Sequence, residues 1–415
     1  MPFSADVVIL GAGIGGYEAF RTLDTLFRRH GLTKKIIIID RNNYFTFAPL
    51  LHEVASGSVE PTHAALPLRE LVYGTAHTFL KTDVLSIDPT NKTVHTSAGE
   101  VRYEFCITAL GSATNYYGIP GAEQFSYHVR NLEAAIRLRH DLLYRLEHGE
   151  SKTDIVIVGG GYTGVEVAAQ MQQFVMTDIA KLYPEKKLSV TIIQTAPALV
   201  PVLPVKAQKI ITDRLQRMGV RILLDSKVKE VAKNRVVLSD ESSLPSDMTV
   251  WCAGFANIAD KLLPKEFSLP DCRLPTTNFL NHPMAPTLYA VGDIGHICNP
   301  GSDTPVPQLG EAAHAEGRYV AHHIVATLRG KTPGSFVFKS KGQLMPIGDW
   351  FGIGIFGTHV VSGRLMWWVR RTVYVTFFPG TLRKLKIILD WTLRIFGFSY
   401  IILVESKNDP EEGQH

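Results

Sequence analysis

Gly11-x-Gly13-x-x-Gly16, set directly after the apolar run Val7–Leu10, is the first group of residues whose types and spacing point to chemistry. Glycines at this spacing between a strand and a helix hold the pyrophosphate of a dinucleotide. Gly11 permits the tight turn, Gly13 lets the backbone approach the diphosphate, and Gly16 packs helix against strand. The helix that follows offers free N–H groups and a positive dipole end to the anion. A second apolar run, Ile36–Ile39, ends in Asp40, an acid placed to bind adenosine ribose hydroxyls. The pattern returns at Gly159, Gly161 and Gly164 after the strand-like Asp154–Val158, and the next strand, Leu188–Ile193, ends at Gln194. An acid there would bind a 2′-hydroxyl and repel a 2′-phosphate. An amide keeps the hydrogen bond without the repulsion, so weak discrimination between NADH and NADPH is expected. Repetition of the unit means two dinucleotide sites, or one site and a degenerate copy. Asp293, at the carboxyl end of the strand-like Thr287–Gly292, is placed either against a cofactor hydroxyl or as a turn aspartate.

The elements around these residues alternate between strand and helix patterns, which predicts an α/β fold with two Rossmann-like dinucleotide-binding domains. Between the glycine motifs the sequence predicts a short helix and strand over 65–85. A hairpin around Ala98-Gly99 follows, then a strand over Phe105–Leu110 and an exposed connecting helix over Leu132–His148. The loop from Tyr44 to Gly57 is expected either to sit against a cofactor or to pack on the core. Beyond the second motif come a helix over Val165–Met176, a helix over 205–218, strands across 220–238 and a strand over Thr249–Gly254. A helix is expected from Pro307 to about Leu328, with proline near its first position.

A chain of 415 residues with 45% hydrophobic and 20% charged content is globular, with room for two or more domains. Its net charge of +4 argues against a nucleic-acid partner. The four cysteines, Cys106, Cys252, Cys272 and Cys298, are far apart and form no CxxC, which suggests neither a zinc cluster nor a disulfide framework. No basic-then-apolar leader is read before the first strand. No stretch reaches ~18 apolar residues without charge, so no spanning helix is expected.

From Phe336 the composition shifts. Residues 364–378 hold adjacent tryptophans, and 382–404 mix long apolar side chains with cations. On a helical wheel Leu385, Ile388, Leu389, Thr392, Ile395 and Phe396 share one face, while Arg383, Lys386, Asp390 and Arg394 fall on the other. Trp367, Trp368 and Trp391 are expected to join the apolar face, and Arg370, Arg371 and Lys384 the charged rim. The pattern fits a helix lying in a membrane interface without crossing it, or one packed on the protein core or on a second copy in a homodimer.

Together these residues resemble the two-dinucleotide-binding-domain flavoproteins, and most closely the type II NADH:quinone oxidoreductases, over essentially the whole chain. The resemblance is carried by the first glycine motif and by Phe47-x-Pro49-Leu50-Leu51-x-Glu53-Val54-Ala55-x-Gly57. Ala109-Leu110-Gly111-Ser112, Tyr116–Gly121, Gly159–Glu166, Trp251-x-Ala253-Gly254, Val291-Gly292-Asp293 and Lys341-Gly342-x-Leu344 carry it further. It implies FAD on the first unit, with Asp40 on its adenosine ribose and Asp293 on its ribitol, and NADH or NADPH on the second. It also implies a discontinuous FAD domain over 1–115 and 276–335, an NAD(P)H domain over 116–275, and a C-terminal membrane-associating segment over 336–415. Cofactor-binding positions implied are Gly11, Gly13, Gly15, Gly16, Asp40, Leu51, Val84, Ala109, Gly111, Gly159, Gly161, Thr163, Gly164, Glu166, Gln194, Gly254, Gly292, Asp293 and Gly310. Catalytic roles fall to Glu166 and Glu311. Glu166 either handles a proton near the nicotinamide or complements the helix dipole.

The sequence departs from the family at Gln194, where an acid is usual. It also departs at Gly310-Glu311-Ala312-Ala313-His314-Ala315, where the family reads Ala-Gln-x-Ala-x-Gln at the quinone site. His314 and Glu316 are either substitute polar groups there or surface residues. The implied reaction is hydride transfer from NAD(P)H to flavin, then two-electron reduction of a membrane quinone without proton pumping, by a peripheral protein on the cytoplasmic face of the cell membrane. A sulfide:quinone oxidoreductase would need cysteines flanking the flavin. A soluble ferredoxin reductase would not need the C-terminal segment.

Overall fold

The computed structural model describes residues 3–149, 151–377 and 381–395. They fall into two compact units, each assembled from three stretches of chain. The first unit holds the described residues of 1–47, 65–113 and 255–340; the second holds those of 48–64, 114–254 and 341 onward.

The first unit is built on a sheet in the order Asn281–His282, Ala285–Ala290, Gly99–Thr108, Phe3–Leu10, Ile36–Asp40, Thr78–Lys81. Phe3–Leu10 runs parallel to both neighbours, Val7 lying between Ile36 and Phe105. Val7–Leu10 and Ile36–Ile39 are buried throughout, as expected for parallel strands covered on both faces. The expected hairpin strand and the Phe105 strand are one continuous element, Gly99–Thr108, paired antiparallel with Thr93–Thr96. The helices Ile14–His30 and Gly310–Leu328 cross closely: a Cβ on Gly317 would stand 2.2 Å from the carbonyl oxygen of Gly15. The second of these helices starts later than the proline predicted. Leu309 has extended backbone and donates to the Pro307 carbonyl, so Pro307 lies outside the helix. The boundary of this unit falls at Gly254 and not at 275. Ala259, Leu263 and Leu274 are buried in one cluster with Val8, Ile37 and Leu288, which ties the intervening stretch to the first sheet.

The second unit has a parallel sheet in the order Ser126–Tyr127, Met248–Trp251, Lys152–Val158, Lys187–Ile193, Arg221–Leu223. The helix Tyr162–Phe174 continues into a π-helical turn, Val175–Ile179. The helix Leu132–His148 is more than an exposed connector. Asn131 caps its N-terminus by accepting from the Ala134 N–H at 2.8 Å, and Leu138, Leu142, Leu143 and Leu146 line a buried face. The stretch 48–57 is no loop: it forms a short helix, Leu51–Ala55, packed against Leu132–His148 and Tyr162–Phe174.

An antiparallel sheet of Gln343–Pro346, Gly352–Phe356 and His359–Gly363 precedes the C-terminal helices. The sequence hid it because Gly352 and Gly354 interrupt the alternation of side chains. A Cβ on Gly352 would lie 2.9 Å from the backbone nitrogen of Trp367, so the glycine lets helix Arg364–Phe377 approach the strand. Helix Thr381–Ile395 follows. The side chains of Arg394 and Ile395, and the expected face from Phe396 to Val404, lie outside the described residues. Among the described residues no helix is long and apolar enough to cross a membrane.

Candidate functional site

The glycine motifs share one geometry. Gly11 has φ +89, and a Cβ there would meet the Ala109 carbonyl oxygen at 2.5 Å; Gly159 has φ +105, and its Cβ would meet Ala253 at 2.8 Å. Both positions demand glycine on conformation and on space. A Cβ on Gly16 would lie 1.9 Å from the Gly11 carbonyl oxygen, and one on Gly164 would lie 1.8 Å from that of Gly159. The middle glycines differ: around Gly13 and Gly161 nothing among the described residues stands within 4 Å of the added carbon. Each motif therefore turns its middle residue toward open space at a helix N-terminus, which is the shape a diphosphate needs.

In the first unit Asp40 accepts the Ala12 N–H at 2.8 Å and the Asn42 N–H at 2.8 Å, which fixes its carboxylate beside the glycine turn. Burial nevertheless raises its pKa. Ala109 donates to Leu10 at 2.7 Å beside Gly11, and Gly111 opens on free space with φ +70. Val84 is half-buried at the start of Val84–Asp88. Gly292, with φ +76, and Asp293 form the turn after Ala285–Ala290. Asp293 accepts the Ser112 hydroxyl at 2.7 Å, and its carbonyl accepts Gln308 at 3.0 Å. Gly15 abuts Val291, where a Cβ would be 2.4 Å from its side chain.

Gly310 opens its helix and is exposed, and Glu311 beside it accepts the Ser340 hydroxyl at 3.2 Å. Of the alternatives for the departed motif, His314 lies 3.4 Å from the buried Glu18. Glu316 is no surface residue. It is 2% exposed, accepts the Gly292 N–H at 2.6 Å, and is raised to about 7 by burial, with Asp293 adding to the shift. A carboxyl raised in the fold above its unfolded value favours the folded state most below that unfolded value, and the advantage fades as pH climbs to about 7. Glu316→Gln should therefore flatten the loss of stability between pH 4.5 and 7. The effect is about 3 kcal/mol at most, from 1.36 kcal/mol per pKa unit, and melting curves at pH 5 and pH 8 would read it.

In the second unit Thr163 stands in the first turn of its helix. Gln194 folds back on the glycine turn, its Oε1 accepting the Gly160 N–H at 3.2 Å, as Asp40 accepts Ala12. Gly254, with φ +74, is covered by the Tyr117 ring, whose hydroxyl would be 2.0 Å from an added Cβ. Leu51 is 2% exposed in the core of this unit. Glu166 lies one turn beyond Tyr162, with 18% of its side chain exposed, and burial raises its pKa to about 7.

Around Glu166 is a buried charged cluster that the sequence did not disclose. His52 places Nδ1 3.8 Å from Glu166 Oε2. Arg370, 1% exposed, donates to Glu53 at 2.8 Å, to the Pro49 carbonyl at 3.2 Å, and approaches His52 Nε2 at 3.3 Å. Trp391 Nε1 donates to the other Glu53 oxygen at 3.0 Å. Burial alone would raise Glu53, but Arg370 and Arg371 hold it down at about 2. Burial and the Arg370 charge push His52 down to about 3, so its imidazole is neutral.

This cluster corrects the expected rim of cations. Arg370 and Arg371 are buried, Arg371 lying over the rings of Trp367 and Trp391, which are buried too. Asp390, expected on the outer charged face, is 2% exposed and holds His63 at 2.5 Å. The apolar face is the one left open: Leu382 is 68% exposed, Leu385 58% and Leu389 53%, with Ile388, Trp368 and Leu365 also exposed.

The family model for pyridine nucleotide-disulphide oxidoreductases matches residues 5–317. A curated type II NADH:quinone oxidoreductase of Mycobacterium tuberculosis is 26% identical over 417 residues, covering 93% of this chain and 87% of its own. The solved structure of NDH2 from Plasmodium falciparum in complex with NADH superposes with a TM-score of 0.84 at 18% identity, over 95% of this chain and 99% of that one. The sulfide:quinone oxidoreductase of Aquifex aeolicus superposes with a TM-score of 0.76 at 19% identity, over 97% of this chain and 96% of that one.

Proposed function

The chain belongs to the pyridine nucleotide-disulphide oxidoreductase family, and from that premise we propose that it is a type II NAD(P)H:quinone oxidoreductase. It binds FAD on the first unit and NADH or NADPH on the second. One observation carries the reading: each unit holds its own strand–glycine turn–helix cradle, with the middle glycine open and the others closed by backbone. The full-length likeness to a curated type II enzyme supports the acceptor. The four cysteines are far apart in the sequence and form no CxxC or Cys-x4-Cys, so no redox dithiol motif is read beside the flavin. That separates the chain from disulfide-reducing relatives and from a sulfide oxidase, which needs a cysteine pair.

When bound, FAD supplies hydride acceptance and two-electron release to quinone. The residues provide the rest. Gly11, Gly13, Gly15 and Gly16 give the diphosphate its bed, and Asp40 binds adenosine hydroxyls. Val84, Ala109, Gly111, Gly292, Asp293 and Gly310 complete the proposed flavin contacts, with Asp293 on the ribitol. Gly159, Gly161, Thr163, Gly164, Glu166, Gln194 and Gly254 hold the nicotinamide nucleotide. Glu166, with a pKa near neutrality, holds or releases a proton there. Glu311 takes the place of a family glutamine at the quinone. The exposed apolar face of Thr381–Ile395, with Trp368 and Leu365, seats the protein peripherally on the cytoplasmic face of the cell membrane.

The deciding experiment purifies the protein, identifies its flavin, and follows bleaching by NADH or NADPH and recovery with quinones. Recovery only with an iron–sulfur protein would replace the quinone reading. Nucleotide choice has its own check. Gln194→Glu keeps an acceptor for Gly160 but adds a charge against a 2′-phosphate, so the NADH-over-NADPH ratio of kcat/KM should rise about tenfold, mostly through NADPH. An unchanged ratio would place Gln194 away from the ribose.

A further inference from the structure

Arg370 is a costly residue to bury, and its surroundings show more than neutralisation of charge. Guanidinium groups only donate hydrogen bonds. Arg370 Nη2 stands 3.3 Å from His52 Nε2, closer than the Glu53 oxygen at 3.7 Å, and that oxygen already accepts Arg370 Nη1. The hydrogen-bond network thus assigns the bare lone pair to Nε2 and the single imidazole proton to Nδ1. Nδ1 is the nitrogen that faces Glu166, at 3.8 Å. We propose that Arg370 is a positioning residue for Glu166: acting through His52 and together with Glu53, it makes the C-terminal helix Arg364–Phe377 decide how Glu166 holds its proton.

The groups packed about Glu166 give the proposal its signs. On its own helix is Tyr162; on Leu51–Ala55 are His52 and Glu53; on Arg364–Phe377 are Arg370 and Tyr374, with Arg371 acting on Glu53. Of these, Arg370 favours the Glu166 carboxylate and Glu53 opposes it. His52, neutral and held in the Nδ1–H form, turns that N–H toward the Glu166 carboxylate at 3.8 Å, beyond hydrogen-bond distance but without an intervening like charge. Trp391, from the last described helix, orients Glu53 and so the guanidinium. The same Arg364–Phe377 helix exposes Leu365 and Trp368 on its other side, so the element that meets the acceptor's medium also carries the counterion of the nucleotide-site acid. The meaning for turnover rests on the proposed hydride reaction; the ionisation itself does not.

The test reads Glu166 directly. Full-length protein with glutamate labelled at the carboxyl carbon is titrated by NMR, and the Glu166 signal is identified by its loss in Glu166→Gln. The expected midpoint is near pH 7. Arg370→Gln should move it up by about one unit and Glu53→Gln should move it down, while Arg370→Lys should return it most of the way. A purely structural disturbance would move the midpoint in one direction for both substitutions, or in neither, and either result overturns the proposal. If Arg370→Gln fails to fold, the double variant Glu53→Gln/Arg370→Met, which buries no lone charge, replaces it. Its midpoint should lie above that of Glu53→Gln alone. A midpoint equal to that of Glu53→Gln would show that the guanidinium does nothing to Glu166. Failure here with flavin bleaching intact would leave the proposed reaction standing.

Discussion

Gly13→Val should yield a folded protein that purifies without yellow flavin and does not oxidise NADH. The substitution isolates cofactor binding from folding because, among the described residues, nothing stands within 4 Å of a Cβ at this position. Gly13 also has an ordinary backbone, φ −69, so valine adds no strain of its own. What the valine occupies is the volume that the diphosphate requires at the helix N-terminus. Gly16→Val is the contrasting control. Its side chain would drive into the Gly11 carbonyl oxygen, so it should lower soluble yield and melting temperature together with flavin content. A purified Gly13→Val with a full complement of flavin would remove the first motif from the FAD site.

The second large effect is expected at the open face of the C-terminal helix. Leu385→Asp/Leu389→Asp should cut partition onto anionic vesicles at least tenfold and slow turnover with a lipid-borne quinone in proportion. Reduction of ferricyanide should stay unchanged. Full burial of a leucine is worth about 1.5–3 kcal/mol, so two part-inserted side chains supply more than that tenfold. Reversing Arg383, Lys384 and Lys386 removes a smaller part, since each cation near an anionic surface adds on the order of 1 kcal/mol. Salt should accordingly release the protein incompletely and detergent fully. Flavin content checks folding in both variants. Equal vesicle binding by wild type and both variants would mean that a second copy covers this face, and sedimentation would then show a dimer that the aspartates dissociate.

The two strand–glycine turn–helix units were legible because their geometry is written in backbone space. Glycine at positions 11, 13 and 16 is demanded locally, by a turn, an approach and a crossing that sit within a few residues of one another. The helix over 205–218 was legible for a similar reason, its apolar period being closed by Pro204 and Gly219. The Arg370 cluster was not legible. Arg370 and Arg371 beside Trp367 and Trp368 have the composition of an interfacial helix, and only the tertiary fold brings Arg370 to Glu53, more than 300 residues earlier in the chain. Glu53 carried the one available signal: an acid inside the apolar stretch Leu50–Ala55 has to find a buried partner. The sheet over 343–363 was lost for the opposite reason, its strands keeping the fold but giving up their side-chain alternation to glycine.

The chain passes from one unit to the other after residues 47, 64, 113, 254 and 340, and this interleaving bears on biosynthesis. A ribosome that has released the first 250 residues has completed neither unit. The first sheet still lacks Ala285–Ala290, the strand beside Gly99–Thr108. The second still lacks the guanidinium that neutralises Glu53. Closure of both therefore waits on late-made segments with long loops between partners, a topology that folds slowly and exposes apolar strands in the meantime. A nascent chain arrested before Arg370 would carry Glu53 as an unpaired acid in an apolar pocket. The second unit would then stay loose until the helices Arg364–Phe377 and Thr381–Ile395 emerge, which ties quality control of this protein to those two late-made helices.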